Sequence, residues 1–142
     1  MGLDMYLIKK KKSESKEDVW DFPYGSELIY WRKANAIHRF LCDNGQEIER
    51  EITYEISLDT LNELLSRCTE ILNSVEKTED GFDLIDQEKC DELLPTCSGF
   101  FFGSTDYNDW YLQDIERTKE ELQVVIPTID WDDENVYYLA SW

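Results

Sequence analysis

Hydrophobic and polar positions alternate at the start of the chain, which predicts a first strand. In residues 3–10, Leu3, Met5 and Leu7 fall on one face and the intervening residues fall on the other. A period of two residues is typical of β-structure. The following stretch, KKSESKED, is polar throughout and predicts an exposed loop.

The next segment predicts a helix that begins at Ser26. Serine is a good N-cap residue, and Glu27 adds a favourable charge to the first turn. The helix body is ELIYWRKANAIHRFLCDN, and Gly45 lies just past its end, where a left-handed residue is favoured. The predicted inward stripe consists of Leu28, Trp31, Ala34, Ile37 or His38, and Leu41.

A strict alternation in EIEREITYEIS predicts a second, half-buried strand. Its outer face carries four glutamates, spaced about 6.6 Å apart where they are consecutive. They are Glu47, Glu49, Glu51 and Glu55. Nothing nearby in the sequence neutralises this row of glutamates.

Ser57 is predicted to cap the clearest helix of the chain, whose apolar residues recur every three or four positions. Those residues are Leu58, Leu61, Leu64, Leu65, Cys68, Ile71, Leu72 and Val75. Residues 77–92 are acidic and are predicted to end in a short helical or turn segment, with Gly81 inside.

The last third predicts a strand, a helix and a final strand. Phe100, Phe101 and Phe102 lie between two glycines and form a run too short for a helix. Residues 104–106 (Ser-Thr-Asp) supply N-cap chemistry for a helix that continues to about Ile126, because Pro127 disfavours helical geometry before it. The inner stripe of this helix consists of Tyr107, Tyr111, Ile115, Thr118, Leu122 and Val125. The outer stripe consists of Asp106, Asp109, Gln113, Glu116 and Glu120.

The segment IDWDDEN is predicted to be a turn, and NVYYLASW a strand. The order of elements favours an α+β fold in one domain spanning residues 1–142. We expect a small antiparallel or mixed sheet of about four strands, with three main helices packed on it.

Charge changes the picture, because the chain of 142 residues carries a formal net charge of −18. Residues 1–40 hold eight Lys/Arg and six Asp/Glu, whereas residues 41–142 hold six Lys/Arg and 26 Asp/Glu. Direct nucleic-acid binding is disfavoured, since it requires cations facing the phosphates. A basic protein surface suits this charge better, and solubility alone is the competing explanation.

Cysteine usage and hydropathy predict a protein of a reducing cytoplasm. The four cysteines lie at positions 42, 68, 90 and 97, without a CxxC spacing and with a single histidine, so neither zinc nor any other cofactor is expected. Cys42 and Cys68 fall on apolar faces of predicted helices, where reduced cysteine packs as a small hydrophobe. No apolar run approaches the length of a membrane span, and the N-terminal charge order does not fit a secretory signal.

Two candidate ligand sites come from residue chemistry. The segment GFFFGST resembles a glycine-rich phosphate loop, but no lysine follows and the acids of the first helical turn would repel a phosphate. His38 is a candidate general base, and a half-buried, hydrogen-bonded histidine is the alternative interpretation. An alternative ligand site would combine Asp4, Arg32, Asn35, His38 and Asp114.

A candidate partner-binding surface combines acids with aromatic side chains, which are favoured anchors of protein interfaces. The aromatic candidates are Trp110, Trp131, Tyr137 and Tyr138. The predicted contact residues are Glu47, Glu49, Glu51, Glu55, Asp106, Asp109, Trp110, Glu116, Asp132 and Asp133. A solvated acidic surface without a specific partner is the competing interpretation.

Four stretches, MGLDMYL, YWRKANAIH, LLPTCSGFFFGSTDY and YLQDIERT, resemble a family of small proteins encoded by tailed bacteriophages and prophages. The resemblance covers most of the chain and carries no catalytic residue with it. It implies a phage accessory protein made in the cytoplasm of a bacterial host. Small acidic phage proteins often inhibit host defence nucleases or other host enzymes.

Three hypotheses follow from charge, residues and resemblance. The first is a non-enzymatic, acidic phage protein that inhibits a basic, nucleic-acid-binding host protein, as an anti-CRISPR or anti-restriction factor or a nucleic-acid mimic would. The second is a small ligand-binding domain or enzyme that uses the polar site around Arg32, Asn35 and His38. The third is a structural phage protein that associates with itself, for example as a homodimer.

Overall fold

The computed structural model describes residues 2–13, 26–42, 51–79, 81–83, 86–98 and 103–142. The strands are β1 (Asp4–Lys11), β2 (Glu27–Arg32), β3 (Glu51–Ile56), β4 (Glu76–Thr78), β5 (Gly81–Asp83) and β6 (Glu134–Ser141). The helices are α1 (Asn35–Leu41), α2 (Leu58–Leu72), α3 (Gln87–Leu93) and α4 (Asp109–Val125).

Four strands form one open antiparallel sheet in the order β2-β1-β6-β3, which confirms the predicted α+β fold. Strands β1 and β6 are central and pair along their whole length, from Asp4 opposite Ser141 to Lys11 opposite Glu134. Strands β4 and β5 form a separate small hairpin that the sequence did not predict. The described residues also contain four α-helices, of which the short α3 lies in the segment predicted to be helical or a turn.

The predicted helix from Ser26 is wrong in its first half, because residues 27–32 form strand β2. Ile29 and Trp31, two positions apart, are both buried, while Glu27 and Arg32 are exposed. This two-residue period fits a strand paired with β1, and aromatic and β-branched side chains favour a pleated surface. Tertiary pairing therefore outweighs the capping signal at Ser26.

Helix α2 begins where the sequence predicts, since Ser57 Oγ accepts a hydrogen bond from the Thr60 backbone N–H at 3.2 Å. Four residues of its apolar stripe are fully buried: Leu61, Leu64, Cys68 and Ile71. They join one continuous core with the inner face of the sheet, which includes Met5, Trp31 and Tyr138. A smaller cluster of Ile8, Tyr137 and Leu139 lies on the opposite face.

Helix α4 begins at Asp109 rather than at residues 104–106, because Asn108 is the N-cap and its Oδ1 accepts from Tyr111 N at 3.1 Å. Its predicted inner stripe is confirmed by the burial of Tyr111, Ile115, Thr118 and Leu122. A short 3-10 helix, Ile126–Thr128, accommodates Pro127. The turn before β6 and the strand itself also lie where the sequence predicts them.

Several predictions lie outside the described residues, namely the strand of Phe100–Phe102, most of the loop KKSESKED, Gly45, Glu47 and Glu49. Glu51 opens β3, and its side chain is also outside the description. Within the described part of the chain, no helix combines the length and the apolar character needed to cross a membrane.

Candidate functional site

A cavity of about 330 Å³ opens where the end of β2 and the start of α1 meet the first turns of α4. We call it the cleft. Its wall is lined by Arg32, Lys33, Ala34, Asn35, Ala36, Ile37, Thr96, Gly103, Ser104, Asp106, Asn108, Trp110, Tyr111, Asp114 and Ile115. The size lies at the lower end of the range for small-molecule sites.

The β2–α1 side of the cleft depends on an unusual backbone at Lys33. Its φ of 57° lies in the left-handed region, which is uncommon for a residue with a side chain. The Lys33 N–H donates to the Leu3 carbonyl at 2.7 Å, and its own carbonyl accepts from Asn35 N at 2.9 Å. The chain thereby turns sharply from strand to helix, and both Arg32 and Lys33 line the cleft.

Asn35 ties the loop before α4 to this turn. Its Nδ2 donates to the Ser104 carbonyl at 2.8 Å, and its Oδ1 accepts from Cys97 N at 3.0 Å. Gly103, with φ of 87°, lies against the Lys33 side chain, where an added Cβ would be 3.3 Å from Lys33 Cβ. Asn35 therefore holds the cleft together rather than presenting a free amide to it.

Helix α4 contributes a carboxyl group whose environment disfavours its charge. Burial raises the pKa of Asp114 from 3.8 to about 6, and the nearby Arg117 guanidinium opposes that rise. The helix is held in place one turn later, because Trp31 Nε1 donates to Thr118 Oγ1 at 2.9 Å. Trp110, at the rim of the cleft, leaves 74% of its surface exposed.

The cleft therefore combines three kinds of contact. Arg32 and Lys33 provide positive charge, Asp106 and Asp114 provide carboxyl groups, and Trp110 provides an exposed aromatic face. Carboxyl groups with a raised pKa in a concave site are candidates for ligand contact or proton transfer. Among the described residues, no group of three or more His, Cys, Asp or Glu is placed to hold a metal ion.

The alternative ligand site predicted from sequence is only partly assembled. Arg32, Asn35 and Asp114 all line the cleft. Asp4 lies beside it through Arg32, whose Nε is 4.0 Å from Asp4 Oδ1, and it also accepts a 2.5 Å hydrogen bond from Tyr30. His38 does not line the cleft, because it is completely buried on the core side of α1.

His38 is a buried, hydrogen-bonded histidine rather than the half-buried one expected. Its Nδ1 lies 2.6 Å from the Tyr138 hydroxyl, and its Nε2 lies 3.4 Å from Cys42 Sγ. Burial lowers the pKa of His38 to about 4, so the ring is neutral at physiological pH. Its role is to pair polar atoms inside the core.

The predicted acidic contact residues that the structure describes do not form one patch. Asp106 and Trp110 line the cleft, Asp109 in the first turn of α4 lies against Gly81, and Glu116 is half-buried further along α4. Asp132 and Asp133 are exposed at the opposite end, because they precede Glu134, which pairs with Lys11. Glu55 is exposed on the edge strand β3.

Cations of the first forty residues lie beside the acidic turn before β6. Lys9 Nζ is 3.5 Å from Glu134 Oε2, and the Lys12 backbone N–H donates to the Asp133 carbonyl. The negative charge beside this turn is therefore partly compensated, so the turn does not belong to a uniformly negative face. Of the aromatic candidates, Tyr137 and Tyr138 are buried and Trp131 is partly buried, which leaves Trp110 exposed.

Sequence reasoning missed Lys33, Gly103 and Asn108 as cleft residues. The left-handed backbone at Lys33 has no signal in the sequence, because glycine is the residue expected there. Asn108 carried a recognisable signal, since asparagine is among the best N-cap residues.

No family model, no curated protein and no solved structure matches this chain.

Proposed function

We propose that this protein binds a small polar ligand in the cleft between the β2–α1 turn and α4. The observation that carries the proposal is one concave site that gathers Arg32, Lys33 and the half-buried Asp114 beside an exposed indole. Convergent charged groups and a carboxyl with a raised pKa are the usual marks of a ligand site.

Four stretches that are far apart along the chain meet at this location. YWRKANAIH supplies the β2–α1 side, LLPTCSGFFFGSTDY supplies Thr96, Gly103, Ser104 and Asp106, and YLQDIERT supplies Asp114. MGLDMYL supplies Gly2, which packs against the side chains of Arg32 and Lys33. Sequence features that are distant along the chain therefore meet around one cavity.

The test is a protein-observed NMR screen of small polar compounds with isotope-labelled protein. Compounds that bind the cleft should shift the Gly103 amide and the Trp110 indole N–H together. Trp110→Ala should weaken such compounds several-fold, as expected for loss of an aromatic contact. Val124→Ala is the matched control, because Val124 is the other highly exposed large apolar residue of α4.

Two results would count against the proposal. One is a screen in which all perturbed resonances lie away from the cleft. The other is equal binding of every hit to the Trp110→Ala and Val124→Ala proteins together with an unchanged Gly103 resonance.

A second candidate function is inhibition of a basic, nucleic-acid-binding host protein by a phage-encoded acidic protein. The observation that favours it is the outer surface of α2, α3 and α4, whose exposed acids are Asp59, Glu63, Glu70, Glu88, Asp91, Glu92 and Glu120. Two of these acids pair with cations, Glu63 with Arg67 and Glu70 with Lys89.

Affinity capture from a bacterial lysate at low and high salt tests the second candidate. A partner held by charge should be retained at low salt and lost at high salt. A triple Glu→Lys variant at positions 88, 92 and 120 should lose the same partner. Retention by the triple variant would exclude this surface, while the ligand screen reports on the cleft separately.

A further inference from the structure

Two cations converge at one end of the cleft. Successive residues of a strand point to opposite faces, so Arg32 and Lys33 could not line one cavity if β2 continued. The left-handed turn at Lys33 removes this restriction. A Cβ added to Gly2 would lie 3.2 Å from Lys33 Cε and 3.4 Å from Arg32 Nη2, so both side chains pass the same point.

This cationic end has room for an anionic group. Arg32 pairs loosely with Asp4, whose Oδ1 is 4.0 Å from Nε, at the outer limit of an ion pair. The side chain of Arg32 is 57% exposed, so its remaining N–H donors face solvent or the cleft. A carboxylate beside a guanidinium and an ammonium gains charge-assisted hydrogen bonds.

The α4 side of the cleft carries carboxyl groups and therefore favours a cationic group of the ligand. Asp114 is half-buried, and burial is what disfavours its ionised form. Arg117, the cation next to it on α4, already donates to the Tyr30 carbonyl and pairs with Glu121 at 3.4 Å. Asp106 adds a second, exposed carboxyl to the same cleft.

Opposite charges on the two sides argue against a ligand with one kind of charge. An anion alone would meet Asp106 and Asp114, and a cation alone would meet Arg32 and Lys33. A ligand that carries both charges satisfies both sides. The exposed indole of Trp110 can cover an apolar or aromatic part of the ligand, or contact its cation.

We propose that the cleft binds a zwitterion of amino-acid size, with its carboxylate on Arg32 and Lys33, its ammonium group on Asp114, and its side chain against Trp110. This inference rests on the proposed ligand-binding function of the cleft.

The experiment uses three probes of nearly equal shape, titrated into the full chain by calorimetry at neutral pH. They are L-phenylalanine, L-phenylalaninamide, which lacks the carboxylate, and 3-phenylpropionate, which lacks the ammonium group. L-Phenylalanine should bind best, and removal of either charge should weaken binding by about tenfold or more, since each charge loses its charge-assisted hydrogen bonds to the cleft.

Variants assign each charge to its end of the cleft. Asp114→Asn should weaken the binding of L-phenylalanine but not that of 3-phenylpropionate. Arg32→Gln should weaken the binding of L-phenylalanine but not that of L-phenylalaninamide. Asp59→Asn, on the exposed first turn of α2, is the matched charge control and should change none of the three affinities.

The possible outcomes separate this inference from the proposed function. If 3-phenylpropionate or L-phenylalaninamide binds as well as L-phenylalanine, the zwitterion assignment is wrong and the cleft remains a ligand site. If L-phenylalanine fails to bind while other compounds shift Gly103 and Trp110, the same conclusion holds. If no compound of either experiment reaches the cleft, both proposals fail.

Discussion

At the scale of single residues, the buried His38 makes the stability of the fold depend on pH. Its pKa is about 4 in the folded protein and 6.5 in an unfolded chain, because burial disfavours the charged ring. Between these values the unfolded chain binds a proton that the folded protein does not. The titration of His38 therefore leaves stability unaffected above pH 6.5 and lowers it as pH falls to about 4, by about 3 kcal/mol in total.

Urea unfolding at pH 7 and pH 4.5 measures this effect. His38→Gln should be less stable than the parent protein at pH 7, because it disturbs the hydrogen bond to Tyr138. Its stability should nevertheless change less between the two pH values. An equal loss of stability in both proteins on acidification would show that His38 does not titrate as described.

Asp114 has the opposite effect on the pH dependence of stability. Its folded-state pKa, about 6, is higher than its ordinary value, so the folded protein binds the extra proton between about pH 4 and pH 6. Its stabilising contribution is present at low pH and is lost as pH rises through 6. Asp114→Asn should therefore gain stability relative to the parent as pH rises from 4 to 7, and a stability difference independent of pH would contradict this assignment.

The residues of the site show how far sequence reasoning reaches at this scale. Arg32, Asn35 and Asp114 were grouped from their chemistry alone, and they line one cleft. His38 was grouped with them, and it lies in the core because α1 turns that side toward Tyr138. Lys33 was overlooked because its contribution depends on a backbone conformation rather than on a pattern.

At the scale of elements, hydrophobic periodicity located most helices and strands. It failed at residues 27–32, where Leu28 and Trp31 share a helical spacing while Ile29 and Trp31 share a strand spacing. The short segment fits both periods, and only pairing with β1 decides between them. The hairpin of β4 and β5 has three-residue strands, which are too short to produce a readable alternation.

The N-cap of α4 connects element stability to the cleft. Asn108→Ala should lower the free energy of unfolding by about 1 kcal/mol, since the Tyr111 N–H loses its acceptor. Ser57→Ala should cost a similar amount, because Ser57 caps α2 in the same way. Denaturant unfolding measures both losses, and NMR shifts should show that only Asn108→Ala alters the Gly103 and Trp110 resonances.

Equal effects of the two cap variants on those resonances would mean that the start of α4 does not shape the cleft independently. Asn108→Ser is the conservative control, because serine also caps helices and should restore most of the lost stability.

At the scale of the whole molecule, the fold class could be predicted because strict alternation marks exposed sheet faces and three-to-four spacing marks packed helices. The cleft as a whole could not be predicted, because its lining residues come from positions 32–37, 96 and 103–115. Their convergence depends on the order β2-β1-β6-β3 and on the packing of α4 against β2, where Trp31 Nε1 donates to Thr118 Oγ1. Neither is encoded in a local pattern.

The net charge of −18 should make the folded protein more stable as salt is added. A compact chain with this imbalance repels itself, and salt screens the repulsion. The surface ion pairs, such as Arg67 with Glu63 and Lys89 with Glu70, each contribute at most about 1 kcal/mol and would be weakened by the same screening. Repulsion among the many acids should therefore determine the sign of the salt effect, and added salt should raise stability.

Thermal unfolding at about 0.01 M and about 0.15 M sodium chloride tests this balance, because the screening length falls from about 30 Å to about 8 Å. The melting temperature of the parent protein should rise with salt. A variant with Glu88→Gln, Glu92→Gln and Glu120→Gln, all exposed on α3 and α4, should melt higher than the parent at low salt and respond less to added salt. A melting temperature that falls with salt in the parent protein would mean that its ion pairs outweigh the repulsion, and the helical surface would then lack the uncompensated negative charge that the inhibitor hypothesis requires.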